Sequence, residues 1–199
     1  MIAARIARVV TIVMLTAVAA SCTTTATSRF YTLESTANAD GAAPSAPGSV
    51  MIGPVTIPAA VDRPEFVIQV APNRVEVEEF NRWVAPLGDS IARVVARNLA
   101  VILGTSDVAA GPLANFNPAY LVTIDVQRFD STRGQATVLE AVWAVRKTAG
   151  GEPRSSRTVA RETVQGDGFD ALAAAHSRAL AKLSSDIAAA IRAEAEQKP

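Results

Sequence analysis

What this chain lacks narrows its chemistry first. Its 199 residues include one cysteine and one histidine. A single Cys excludes an intramolecular disulfide and any cysteine-rich metal site. His176, the lone histidine, has no second imidazole or spare thiol to converge with it on a metal. Neither charge is in excess: Lys and Arg together number 19, as do Asp and Glu. That balance leaves no electrostatic footprint for nucleic acid, so no such partner is expected. There is no phosphate-cradling glycine loop, because Gly150 and Gly151 fall in a turn. Asp89 and Ser90 lie in "LGDSIA", which is not the strand–elbow–helix setting of a hydrolase nucleophile. Asp125, Asp130 and Glu140 show no conspicuous pairing. Glu140 shares a strand face with Val138 and Val142 and reads as an edge or half-buried carboxylate. No catalytic residue, metal, cofactor or enzymatic activity is expected.

What is present begins at the N-terminus. "MIAARIAR" carries Arg5 and Arg8 and no acid. An uncharged, mostly apolar run follows from Val9 to Ala20, and then the small residues Ala19, Ala20 and Ser21 lead into Cys22. This is the layout of a secretory signal peptide over residues 1–21. The run is shorter than the roughly 20 residues a membrane helix needs. A Cys directly after small residues resembles a bacterial lipobox, with Ala19 where Leu is usual. That resemblance implies cleavage before Cys22 and acylation of its sulfur and new amino group. The alternative is an ordinary signal peptide with a stray thiol. Thr23 stands where Asp would mark inner-membrane retention in enteric bacteria, so the resemblance implies the outer membrane, with the chain facing the periplasm. Once residues 1–21 leave, 17 basic residues face 19 acidic ones, a net charge of −2. No polybasic cluster remains, and the acyl chains must hold the membrane.

Residues 22–49 read as a lipidated N-terminus and tether. Within them Arg29–Leu33, "RFYTL", is a short strand candidate. Glu34 to Ser49 has two Pro, two Gly and no large apolar residue, and reads as a flexible loop.

The folded body is placed at 50–196. Strands are expected at Val50–Ile57, with Pro54 forcing an edge or bulge, and at Phe66–Val70. In "RVEVEEF", Val75 and Val77 alternate with Glu76 and Glu78, which predicts one buried and one wet face. The period then changes. Leu87, Ile91, Val94, Val95, Asn98 and Ile102 follow helical spacing between Pro86 and Gly104. Arg93 and Arg97, one turn apart, are either a phosphate or partner contact or a solvated face. A β-meander follows over Ala119–Ser131, Gln135–Thr148 and Ser156–Gly166. A long helix with Asp167 as cap ends the body, its stripe formed by Phe169, Leu172, His176, Leu180, Leu183, Ile187 and Ile191. A lone His in such a stripe is a core or groove residue before it is a ligand. The order gives an α+β, two-layer fold, a mainly antiparallel sheet with two helices packed on one face.

"VTIPAAVDRPEFVIQ" (Val55 to Gln69), "RWVAPLGDSIARVVARNL" (Arg82 to Leu99) and "FDSTRGQATVLEAVWAV" (Phe129 to Val145) together resemble the PqiC/YmbA-type ABC-transport auxiliary lipoproteins. The most specific pieces are Pro58, Asp62 and Arg63 with the Trp83–Ala85–Pro86–Leu87 block. Gln69 departs from the pattern, where many relatives carry Arg. The resemblance implies a non-catalytic lipoprotein subunit of an ABC or MCE-type lipid transport system. Its partners would be an MCE-domain protein and ABC permease and ATPase components. Trp83, Pro86 and Leu87 then have two readings: they pack the first helix onto the sheet, or they dock an MCE partner. A second hypothesis is a carrier lipoprotein with its own apolar lipid pocket. An exposed strand edge at Val50–Ile57 would also admit a ring or dimer.

Overall fold

The computed structural model describes residues 27–38 and 48–196. The expected signal peptide, Cys22 and most of the expected loop lie outside them. The described elements run β1 (Arg29–Tyr31), β2 (Val50–Thr56), β3 (Glu65–Ala71), β4 (Arg74–Trp83), α1 (Leu87–Leu103), β5 (Val108–Ala110), β6 (Tyr120–Thr132), β7 (Ala136–Lys147), β8 (Arg154–Thr163) and α2 (Phe169–Glu196).

The fold class is α+β, and its strands divide into two mixed sheets. The larger has the order β5-β2-β6-β7-β8, the smaller β1-β4-β3. The meander β6–β7–β8 is antiparallel throughout. Its alternation is the one the sequence shows. Tyr120, Val122, Ile124 and Val126 face inward, the last three opposite Val145, Trp143 and Ala141 on β7, and Leu139 lies opposite buried Phe129 past a bulge in the pairing. β2 joins parallel to β6 and β5, because β3, β4 and α1 intervene before the chain returns. The register of β2 on β6 shifts between Ile52 and Val55, at Gly53–Pro54. Pro54 has no N–H to donate, so the ladder breaks where it stands. β5, a strand too short for the sequence pattern to announce, covers β2 only over Val50–Ile52.

α1 starts from Pro86, whose extended backbone (φ −48°, ψ 131°) serves as N-cap. It ends at Gly104 in the left-handed region (φ 66°, ψ 35°), where a Cβ would be strained. α2 buries the whole predicted stripe from Phe169 to Ile191, including His176. Its alanines, among them Ala175, Ala179 and Ala188 at 0% exposure, let the helix lie close to the sheet.

Two expectations are corrected. Val75 and Val77 do not mark a buried face: they share the outer face of the small sheet with Val67 and remain exposed. The inward face is set by β3, through Phe66 and Ile68, and the acids of β4 share it. Glu78 is held there by Arg133 at 3.0 Å, whose guanidinium lies 4.6 Å from the centre of the Phe169 ring. Nor does the body begin at Val50. β1 pairs parallel to β4 at Arg29↔Asn81 through Tyr31↔Trp83, and Leu33 is buried in the core. Glu34–Ala37, expected to be loop, is strapped across both helices. The Glu34 amide donates to Ser177 Oγ at 3.0 Å, and the Thr36 hydroxyl to the Ser177 carbonyl at 3.2 Å. Buried Asn98 accepts at Oδ1 from Ser35 Oγ (2.7 Å) and from the Ala37 amide (3.2 Å). Its Nδ2 donates to Ser184 Oγ at 3.2 Å.

Candidate functional site

The residues singled out in the sequence separate once folded. Trp83 and Leu87 are core residues, 6% and 2% exposed. Trp83 stacks on Phe66 with ring centres 4.0 Å apart and meets Phe129 edge-on at 6.2 Å. Tyr31 and Phe169 close the same cluster against Phe66, at 5.4 and 5.2 Å. Of the expected docking trio only Pro86 reaches solvent, beside exposed Val84.

His176 lies in this interior. Its ring stacks on Phe129 at 3.8 Å and an interplanar angle of 6°, and Nε2 is 2.8 Å from Ser131 Oγ. Burial lowers its pKa to about 3, so it is neutral across the physiological range. The Ser131–His176 pair resembles a nucleophile and base in spacing alone, for both side chains are buried and Nδ1 has no partner to orient the ring. Among the described residues, no three His, Cys, Asp or Glu side chains converge to hold a metal ion.

A concavity open to solvent lies elsewhere among the described residues. A groove of about 710 Å³ runs between the bulged stretch of β2 and the first turns of α1. Met51, Pro54, Val55, Ala92, Pro112 and Leu121 make it mostly apolar, and Asp89 and Arg93 charge its helix side. It exists because β5 stops at Ala110 while β2 continues to Thr56, leaving that edge without a neighbouring strand. The helix start lies against β2 here: a Cβ on Gly88 would lie 3.4 Å from the Val55 carbonyl oxygen, an ordinary van der Waals contact. A smaller groove of about 260 Å³ adjoins it, lined by Leu33, Glu34, Val84, Ser90, Arg93 and Arg97. Arg93 therefore serves both grooves, where its spacing to Arg97 alone could not tell a site from a wet helix face. Sequence reading missed Met51, Pro112 and Leu121. The one signal pointing to the groove was Pro54, a strand residue that cannot be in a continuous ladder.

A second surface is flatter. Phe30 of β1 lies across from Arg82 on β4; Phe80 is two residues before Arg82 on that strand, and Val84 is two residues after it, just past the strand's end. These three apolar side chains are 61%, 45% and 61% exposed. Arg82 itself is paired with Glu65 across the sheet, and that guanidinium holds the Glu65 carboxyl below its ordinary pKa.

Comparison with known proteins bears on the fold and the family. The model of a family described as "ABC-type transport auxiliary lipoprotein component" matches residues 31–188. A solved structure of a Xanthomonas campestris protein of the family DUF330 aligns with a TM-score of 0.70 at 17% identity, covering 86% of this chain and all of that one. A second solved structure, described as an uncharacterized protein, aligns at 0.69 and 20% identity, covering 83% of this chain and 99% of its own. At such identities these two speak for the fold. No curated protein matches.

Proposed function

Because the chain belongs to the family of ABC-type transport auxiliary lipoprotein components, we propose that it is a non-catalytic subunit of an ABC/MCE-type intermembrane lipid transport system. On this reading Cys22 is acylated and holds the chain in the outer membrane, facing the periplasm, and the domain docks or braces the transport assembly. Among the described residues no helix is long and apolar enough to cross a membrane, so attachment falls to the anchor. The observation that favours a docking subunit over a lipid carrier is the packing of the interior. The space between helices and large sheet is taken up by Val122, Ile124, Leu139, Leu172, Leu180 and Ile187, all at 0–2% exposure. The concavity instead lies at the surface, beside α1. Partner contact is assigned to that groove and its flank at Pro86, with Trp83 and Leu87 supporting the helix start from beneath.

The test is affinity capture of the full-length protein from detergent-solubilised envelopes, beside Cys22→Ala and Ala92→Arg. Ala92 is half-buried in the groove wall, so the arginine blocks the groove without entering the core. Recovery of an MCE-domain protein or ABC permease with the native chain, and its loss with Ala92→Arg, is the expected result. A lipidated protein recovered alone with bound phospholipid would return the carrier reading.

A further inference from the structure

Among the described residues, no element of the fold covers the apolar side chains on the outer face of the small sheet. Phe30, Phe80 and Val84 cluster around the Glu65–Arg82 pair, and Val67, Val75 and Val77 continue the face along the β3–β4 hairpin. Phe30, 61% exposed, is the most exposed aromatic side chain among the described residues. It lies eight residues after Cys22. A fully extended chain advances at most about 3.6 Å per residue, so Cys22 cannot be more than roughly 25 Å from the start of β1. An acylated Cys22 therefore holds the start of β1 within roughly 25 Å of the bilayer that takes up its acyl chains.

From that juxtaposition we infer that the outer face of the β1-β4-β3 sheet is a membrane-contact surface, seating Phe30, Phe80 and Val84 in the headgroup layer of the bilayer that holds Cys22. The inference rests on the proposed anchor. Aromatic and branched apolar side chains are the groups that gain by leaving water at that depth. The charge pattern fits a shallow seat. Glu65 and Arg82 neutralise each other in the centre of the face. Glu79, exposed between Val77 and Phe80, keeps the contact in the headgroups and out of the acyl chains. The surface would fix the orientation of the domain, turning α1 and its groove along the membrane for a partner.

The experiment places a tryptophan on each sheet surface in turn, Phe80→Trp on this face and Val159→Trp on the open face of the large sheet. Both sites are exposed, at 45% and 56%, and accept the larger ring without repacking. Native Trp83 and Trp143 are buried and give a common background. The acylated protein is reconstituted into phosphatidylethanolamine–phosphatidylglycerol vesicles whose acyl chains are brominated near the headgroup. In parallel, unacylated protein is coupled through Cys22, the chain's only cysteine, to a maleimide lipid in the same vesicles. Bromine quenching of Phe80→Trp at least twofold above that of Val159→Trp, in both preparations, is expected. Equal quenching of the two variants would overturn the contact surface while leaving the anchor intact. So would a tryptophan at 80 that is shielded from water yet unquenched, which would mean that a second copy of the chain covers the face. Intact mass of the native protein reads the anchor separately, and an unmodified Cys22 would sink the anchor and this orientation together, whatever the coupled form does.

Discussion

At the scale of single residues, the interior is held to one arrangement by a few buried polar groups. His176 is the clearest case. Its folded pKa of about 3 lies below the ordinary value of 6.5, and burial is the cause. In the unfolded chain the same imidazole takes up a proton near its ordinary pKa. The folded state is therefore favoured in full above pH 6.5, and its stability declines as pH falls from there towards 3. At pH 5 the loss is about 2 kcal/mol from this group alone. Urea midpoints measured between pH 7 and 5 should show that decline, and His176→Phe, which keeps the stack on Phe129, should flatten it. A slope unchanged by the substitution would assign the acid sensitivity elsewhere. The role of His176 in the stripe was legible from helical spacing. Its bond to Ser131, 45 positions away, was not, because that contact depends on how β6 crosses α2.

At the scale of elements, the long ones declared themselves and the short ones did not. Seven stripe positions of α2 and the alternation of β6 and β7 repeat often enough to fix a face. β5 has three residues, and three residues carry no period. β4 misled for another reason. Alternation says that Val75 and Val77 share a face, but only the packing of Phe66 and Ile68 decides which face goes inward. The strap Glu34–Ala37 is small and polar, a composition normally left in water, yet Asn98 and Ser177 offer it hydrogen bonds across the helix pair. Asn98→Ala would leave the Ala37 amide and the Ser35 and Ser184 hydroxyls without that partner. The expected cost is about 1–3 kcal/mol for polar groups deprived of a buried partner. Hydrogen exchange should show the amides of Leu33–Ala37 opening before the helices. Unaltered protection there would mean that Leu33 alone holds the strap.

For the molecule as a whole, the corrected boundary matters most. β1, Leu33 and the strap belong to the domain, and the family match beginning at residue 31 agrees with that limit. A chain starting at Thr27 should melt cooperatively, like the longer protein. One starting at Val50 loses the Tyr31 edge contact to Phe66, the burial of Leu33 and the two bonds that Ser35 and Ala37 make to Asn98. Burying a Leu side chain is worth about 1.5–3 kcal/mol, and the ring contact and hydrogen bonds add to it. That truncation should lower the melting temperature by well over ten degrees in a calorimeter, since each kcal/mol shifts a domain of this size by about 2–4 °C and several are lost. An unchanged melt would show that the strap is only draped over the helices. β1 is also an edge strand of the small sheet, so the described domain begins at a sheet edge seven positions after Cys22.

The sequence by itself determined the elements long enough to carry a period, the α+β class, the buried stripe of each helix and the bulge at Pro54. Those depend on local spacing, on backbone chemistry that proline cannot supply, and on the sign and size of each side chain. Its resemblance to a family of auxiliary lipoproteins likewise resided in contiguous stretches. Only the tertiary structure decided that the strands form two sheets, that Trp83 and Leu87 are interior, that a polar strap is bound across both helices, and that the groove opens beside α1. Each of those depends on which surfaces meet across tens of residues, where hydrogen-bond partners and excluded water are properties of the assembled chain and not of any segment of it.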